Sequence, residues 1–554
     1  MPLEDLISEV YRRIEAQAAN PVFIHLVPQP EALARARELE ALPRELPLWG
    51  RVFAVKDNID VAGLPTTAAC PAFSYTPEKS ATAVEKLLAA GAILVGKTNM
   101  DQFATGLTGT RSPYGACRNA FDPAYISGGS SSGSALAVAL GMASFALGTD
   151  TAGSGRVPAA FNGVVGLKPT RGLVSSAGVV PACRSLDCVS VFAPSCAEAL
   201  QVLEVIEGPD AADAYSRGGE PAVFSAHAFR FGVPAEPEFF GDSGYARLFA
   251  QAILRLRALG GTPVEVDFAP FLEAQALLYG PWVAERFAAL EQHLPHMLPV
   301  TREIIESGAR YSAAELFAAQ HRLQALKKTV EGVFEGIELM AVPGAPSIYK
   351  ISEIEAKPLE LNSRLGRYTN FANLLDLAAL TVPAGRREDG LPFGITLLGP
   401  AFSDRSLAAL GARFAGESEI AAARAGVKLA VLGAHLSGMP LNGELTARGA
   451  RLVRTTRTAP RYRLYALEGK PGLVRAADAG GAIEVEVWEL APRQFGDFVS
   501  RIAPPLGIGT LELEDGEQVK GFLCEAYAAE GRPDITGYGG WRGYLSAVAT
   551  TVDP

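Results

Sequence analysis

Eight consecutive residues, Ser127 to Ser134, are all glycine or serine. A flexible linker has that composition. A linker, however, is not followed at once by a stretch such as Ala135–Leu147, whose apolar, small-residue pattern predicts a helix. A glycine-rich turn running into a helix gathers backbone N–H groups and a positive helix end at one spot. A phosphate loop would use the same device, but the segment lacks Gly-Lys-Ser/Thr and a Gly-x-Gly-x-x-Gly after a strand. Gly91–Thr98 carries the P-loop letters, yet its spacer Ala92–Val95 reads as an apolar strand, so the match is one of letters alone.

A second glycine-rich turn follows, Gly-Thr-Asp-Thr-Ala-Gly-Ser-Gly-Arg at Gly148–Arg156. Small residues let the backbone approach a ligand closely. The N–H groups of Thr151, Ala152, Gly153 and Ser154 can converge on one point, as an oxyanion requires. Ser154, at the end of this nest, is the candidate nucleophile. It needs a base, and none of the six histidines (His25, His227, His293, His296, His321, His435) lies near these turns in sequence. Lys56 ends an apolar strand pattern, Phe53-Ala54-Val55-Lys56. It either pairs with a carboxylate such as Asp57 or Asp101, or it is the base. As a base its pKa must fall by about three units through burial.

These segments together resemble the amidase signature family. The residues that carry the resemblance are Val55-Lys56-Asp57-Asn58, Gly128-Gly129-Ser130-Ser131-Ser132-Gly133, Gly148-Thr149-Asp150-Thr151-Ala152-Gly153-Ser154 and Gly166-Leu167-Lys168-Pro169-Thr170 with Arg171-Gly172. The resemblance spans Leu6 to Pro400. It implies an amidase with a Ser–cis-Ser–Lys triad: Ser154 as nucleophile, Ser130 as bridging serine and Lys56 as base. It also implies an oxyanion hole from the N–H groups of Thr151 to Ser154, substrate contacts at Gly128 and Gly129, and a structural role for Asp150 and Arg156. Neither metal nor organic cofactor is implied.

Two features narrow the resemblance to the allophanate hydrolases of that family. Tyr279-Gly280-Pro281-Trp282-Val283-Ala284-Glu285-Arg286 is similar to their substrate-recognition helix, where Tyr279 and Arg286 would hold the substrate. A guanidinium fork suits a small carboxylate; the plainer reading is a surface ion pair between Glu285 and Arg286. The second feature is a further domain that opens with Leu429–Leu436 and continues through Gly438–Asn442 and Lys470–Val474. It resembles the γ-glutamylcyclotransferase-like domain that ends those enzymes. His435, its sole histidine, is either a structural residue or a handler of the first product, N-carboxycarbamate. Six arginines between Arg448 and Arg463 alternate with apolar residues and read as a solvated strand face.

Helix-then-strand units recur at Thr82–Val95, Ala246–Val266 and Phe371–Val382, so the fold class is α/β. The expected architecture is an α/β/α sandwich with a mixed central sheet over residues 1–425, then a smaller strand-rich domain over 426–554. Ile483, Val485 and Val487 alternate with glutamates there, as in a half-buried strand. With 48% hydrophobic residues the chain is not disordered. Fifty basic against sixty acidic side chains give a net charge of −10, which argues against nucleic acid as a partner. The first twenty residues read as an amphipathic helix, not a signal peptide. No apolar run reaches the length of a membrane span. Six scattered cysteines fit reduced, buried thiols in a cytoplasmic protein. The full expectation is a cytoplasmic homodimeric hydrolase of allophanate, with urea carboxylase as pathway partner. The alternatives are another small-amide hydrolase, such as a carboxybiuret hydrolase or a broad amidase, and a non-catalytic amidase-like subunit.

Overall fold

The computed structural model describes residues 2–42, 44–420, 426–448, 450–476, 480–490 and 492–550. The chain forms two compact units, residues 1–422 and 423–554. The first is built on an eleven-stranded mixed sheet. One end of that sheet carries the glycine-rich turns. There Phe23–Leu26, Ile93–Thr98, Val52–Lys56, Phe145–Asp150, Cys188–Ala193 and Val165–Lys168 lie side by side. Val52–Lys56 runs parallel to both Ile93–Thr98 and Phe145–Asp150. Cys188–Ala193 returns antiparallel, with Asp150 opposite Cys188. All five residues of Val52–Lys56 and all six of Phe145–Asp150 are buried, as continuous apolar runs in a sheet covered on both faces demand. The expected α/β architecture with a mixed sheet is therefore the one observed.

Two sequence expectations fail. Ala135–Leu147 is not one helix: the helix is Ser132–Ala139, and Phe145–Asp150 is a strand. Gly141, at φ +65, takes the left-handed conformation that ends the helix. The apolar run beyond it fills the gap between two strands. Buried helix and buried strand share one composition, and periodicity does not separate them. Phe371–Ala379 is likewise not helical. Residues 371–376 form turns, Asp376 takes φ +60, and the strand is Ala378–Arg386. Asn373 points inward there, giving its amide to the carbonyls of Asp150 (2.7 Å) and Leu186 (2.8 Å). The other two units hold: Thr82–Ala89 is helix, Gly91 has φ +90 and Ile93–Thr98 is strand, while helix Ser243–Ala258, capped by Asp242, precedes strand Gly261–Val266. The P-loop letters therefore lie on a strand.

In the second unit the sheet order is Arg451–Arg457, Glu484–Leu490, Val427–Val431, Gln518–Cys524, Leu506–Glu512. Tyr462–Leu467 and Lys470–Arg475 form a separate hairpin. Ile483, Val485 and Val487 are fully buried, as their alternation implies. Glu486 is buried too, held by Ser437, Trp488 and Arg542. The chain after Asp404 forms the helix Asp404–Ala415, and residues 421–425 of the expected linker lie outside the described residues. All six cysteines are buried and unpaired. No helix among the described residues is long and apolar enough to cross a membrane.

Phe145, at the start of the strand whose other end leads into the turn carrying Ser154, stacks on Phe53 (centroids 5.5 Å apart). Phe145→Ala is expected to lower the stability of the first unit by about 3–5 kcal/mol, read as an earlier urea midpoint for its unfolding transition.

Candidate active site

Parallel pairing brings the sequence motifs together. Lys56 ends its strand, Thr149 and Asp150 end the neighbouring one, and the turn after them carries Ser154. Ser130 lies just before the helix Ser132–Ala139, and the Gly129–Ser130 peptide is cis. Lys56 Nζ donates to Ser130 Oγ at 2.8 Å, and Ser130 Oγ donates to Ser154 Oγ at 2.9 Å. Lys56 also bonds Thr149 Oγ1 at 2.8 Å. The structure thus joins Lys56, Ser130 and Ser154 in one buried chain of hydrogen bonds. Gly128 and Gly129 permit this packing: a Cβ on Gly128 (φ +73) would lie 2.9 Å from Pro158 Cα, and one on Gly129 only 2.1 Å from Asp101 Oδ2.

Among the described residues Lys56 has no carboxylate in ion-pair range. Asp57 faces Lys97 at 3.5 Å and accepts from Thr67, and Asp101 accepts from the N–H groups of Thr108, Gly109 and Arg111. Burial brings the Lys56 pKa down to about 7, against a partial pull upward from Asp101, Asp187 and Asp150. Arg286 adds a push in the same downward direction. A lysine in this state is a base at neutral pH.

The loop carrying Ser154 is clamped. Burial alone would raise the Asp150 pKa, but Arg156 grips it with two bonds of 2.9 Å and holds it below the ordinary carboxylate value. The same carboxylate takes the N–H groups of Gly153 (2.8 Å) and Gly155 (2.9 Å). This corrects the expected oxyanion hole, because the Gly153 N–H is already spent on Asp150. No hydrogen bond within the protein engages the N–H groups of Thr151, Ala152 and Ser154 among the described residues. The Thr151 hydroxyl donates to Asp187. Asp187 is a site residue that sequence reasoning missed: Ser185-Leu186-Asp187 carries no spacing signal, and only strand pairing brings it opposite Thr151.

Tyr279 and Arg286 do not share one helix. Ala269–Leu278 ends at Tyr279, a turn follows, and Val283–Leu290 carries Arg286. Pro281 and Gly280 interrupt the helical backbone here. Arg286 is 1% exposed. Its Nη1 donates to Thr105 Oγ1 at 2.8 Å and its Nε has no partner. Glu285 turns away to accept from the Ser185 N–H and hydroxyl (2.8 and 2.6 Å), so the adjacent-residue ion pair does not form. Among the described residues no carboxylate lies in ion-pair range of Arg286, and a buried guanidinium in that state is costly unless an anion arrives from outside. Cys183, Tyr279 and Asp187 are ionisable neighbours that favour its charge, and Lys56 and Arg111 lie within its field.

In the second unit, His435 packs against Phe522 and Phe498 (centroids 5.3 and 5.2 Å) and faces Glu444 at 3.5 Å. Burial lowers its pKa, with Glu444 opposing. Most of the arginine stretch is neutralised on the surface: Arg448 by Asp497, Arg451 by Glu489, Arg454 by Asp515 and Glu517, Arg461 by Glu512. The solvated strand-face reading holds for Arg451 and Arg454 on the strand Arg451–Arg457, whereas Arg448 and Arg461 lie outside the strands and the Arg448 side chain is largely buried.

A buried lysine, a bridging serine after a cis peptide and a serine on a glycine-rich turn define a class of amide-cleaving proteins, and the known relatives agree with it. The amidase family model matches residues 5–408 and the model for the allophanate hydrolase C-terminal domain matches 427–546. The chain belongs to the amidase family. It is 43% identical to the urea amidolyase of Saccharomyces cerevisiae over 96% of its own length and 32% of that protein. It is 42% identical to the urea amidolyase of Lachancea kluyveri over 95% of its own length and 31% of that protein. It thus spans about a third of these two relatives. A solved structure of Kluyveromyces lactis allophanate hydrolase aligns over 99% of this chain and 97% of that one, at 40% identity and a TM-score of 0.79.

The state of Lys56 has a thermodynamic signature. Above about pH 7 the folded chain carries a neutral amine where the unfolded chain still binds a proton, so stability rises with pH until about pH 10. Lys56→Met removes the cost of burying that amine at the loss of two hydrogen bonds. It is expected to abolish amidase turnover while raising the unfolding free energy by about 2 kcal/mol at pH 7. That gain should vanish by about pH 10. A loss of stability that is the same at both pH values would mean that the lysine is not titrated by burial.

Proposed function

We propose that this chain hydrolyses allophanate (urea-1-carboxylate) to ammonia and carbon dioxide, with N-carboxycarbamate as the first product. The observation that carries the reading is Arg286, a fully buried guanidinium with an unpartnered Nε and no carboxylate partner, beside a serine–serine–lysine chain. A small amide bearing a carboxylate satisfies both halves of the site. Arg286 holds the carboxylate, Tyr279 closes on it, and Gly128 and Gly129 line the approach.

Neutral Lys56 takes the Ser130 proton while Ser130 takes that of Ser154, whose Oγ attacks the terminal amide carbonyl. The N–H groups of Thr151, Ala152 and Ser154 receive the oxyanion. One such donor is worth about 3–4 kcal/mol where it has been removed elsewhere. The relay returns a proton to the leaving nitrogen, and ammonia departs. Water then cleaves the acyl-enzyme and releases N-carboxycarbamate. That product loses carbon dioxide, a step in which His435 of the second unit takes part, and carbamate decays to ammonia and carbon dioxide. The relay needs no metal or organic cofactor.

We assign residues 1–425 to the amidase signature domain and 426–554 to the allophanate hydrolase C-terminal domain. The protein works as a cytoplasmic homodimer, with urea carboxylase as the source of its substrate. Similarity to allophanate hydrolase across both units supports the two-domain assignment.

Ammonia release from allophanate, biuret and malonamate tests the reading. Ser154→Ala should reduce turnover by more than about 1000-fold. Arg286→Gln should cut kcat/KM for allophanate about 100-fold or more, as expected when a buried charge pair loses one partner, and should not lower turnover of an uncharged amide, whose reaction no longer meets the field of Arg286 on Lys56. Full activity in Ser154→Ala, or an uncharged amide preferred over allophanate, would overturn it.

A further inference from the structure

Two aspartates flank the loop that carries Ser154, and the mechanism above uses only one of them structurally. Asp150 is neutralised by Arg156. Asp187 sits on the other side with no cation in ion-pair range among the described residues, although it is nearly fully buried. Its position is forced by register. Asp150 and Cys188 are paired across antiparallel strands, so the next residues outward, Thr151 and Asp187, face each other. The Asp187 carboxylate accepts the Thr151 hydroxyl together with the N–H groups of Ala182 (2.8 Å) and Cys183 (3.2 Å). It ties the first residue of the oxyanion loop to the Ala182–Asp187 turn.

We propose that Asp187 is a positioning residue for the hydrolysis: it fixes Thr151, and through it the direction of the loop N–H groups, without touching the substrate. The proposal rests on Ser154 being the nucleophile of that loop. Asp150 and Arg156 pin the loop only from Gly153 onward, so the Asp187 bond is the side-chain contact that holds Thr151 at its start. Fixed donors aimed at developing charge are what such a site contributes to rate, so a swung Thr151 should lower kcat and leave KM alone.

The clamp is open to protons. A cavity of about 120 Å³, walled by Val179, Pro181 and Arg184 among others, reaches Asp187. The groups that face it are Lys56 from its strand, Arg286 from its helix, and Cys183, Arg184 and Cys188 from its own segment. Burial lifts the Asp187 carboxyl to about 6, with Thr151 and the turn N–H groups opposing. Two protons therefore bear on the acid side of the profile: Lys56 must be neutral, and Asp187 must be ionised.

The test uses the full chain with allophanate and four variants. Asp187→Asn should lower kcat 10- to 100-fold at pH 8 with KM changed less than three-fold. Thr151→Val should fall by a similar factor, and Thr151→Ser, which keeps the hydroxyl, should recover most of that loss. The double variant Asp187→Asn with Thr151→Val should be no worse than either single one, because both break the same bond. In the parent, log kcat/KM should steepen from a slope of one toward two below pH 6. Asp187→Asn should keep a slope of one, so that the two curves converge near pH 5. A multiplicative double variant, or Asp187→Asn within two-fold of the parent at every pH, would overturn the proposal. If Asp187→Asn fails to fold, the Thr151 pair decides: equal activity of Thr151→Val and the parent would refute it. Full activity in Ser154→Ala would instead undo the underlying functional reading.

Discussion

A lysine ammonium placed in the interior with no carboxylate to meet it is the constraint around which this site is organised. The nearby acids are each committed elsewhere: Asp57 faces Lys97, Asp101 collects three backbone N–H groups, Asp150 is gripped by Arg156, and Asp187 holds Thr151. Had any of them turned to Lys56, the pair would have been a buried salt bridge and the amine would have stayed charged. Burial without pairing leaves the amine close to neutrality and its bonds directed at two hydroxyls, Ser130 and Thr149. Stability is given up locally so that an amine otherwise protonated at neutral pH is free to accept a proton, a trade common at sites that perform acid–base work.

The motifs were legible because they encode backbone, not packing. Glycine and serine runs at 127–134 and 148–156 specify close approach and left-handed turns, which few other residues permit. Lys56 was legible only as an alternative, since a strand-end lysine in sequence gives no clue to which acids lie beside it in space. What failed depended on tertiary context. Apolar runs at 135–147 and 371–379 carry composition without periodicity, and sheet pairing decided them. The break between Tyr279 and Arg286 was visible in Gly280-Pro281, yet similarity to a helical segment outweighed it. Gly153 was grouped with its neighbours as a donor because no sequence pattern shows an N–H turned back to Asp150.

The second unit shows the opposite balance. Its strands were readable from alternation, and so was the part of its arginine run that lies on the strand Arg451–Arg457. The buried Glu486, however, breaks the alternation that placed it. A glutamate on an outward position of a half-buried strand became interior because Ser437, Trp488 and Arg542 close over it from other parts of the unit. Burial pushes its pKa up, and those donors more than reverse the push. Such a network favours one arrangement of the sheet and its covering segments over near alternatives, since leaving any member unpaired inside would be expensive.

An acidic chain with a net charge of −10 is a poor surface for polyanions but no obstacle to a small anion, which senses the cleft more than the whole. The site here holds two basic groups of different kind, Arg286 and Lys56. Arg286 stays charged, and in the free site its field works with burial to keep Lys56 neutral. In the proposed reaction the carboxylate of the substrate lies on Arg286 and cancels that field. Lys56 then becomes more basic at the moment it must accept the Ser130 proton. An uncharged amide would leave the field of Arg286 in place and meet a weaker base. Selectivity for a carboxylate-bearing amide therefore need not come from binding alone: the same guanidinium couples the charge of the substrate to the strength of the base.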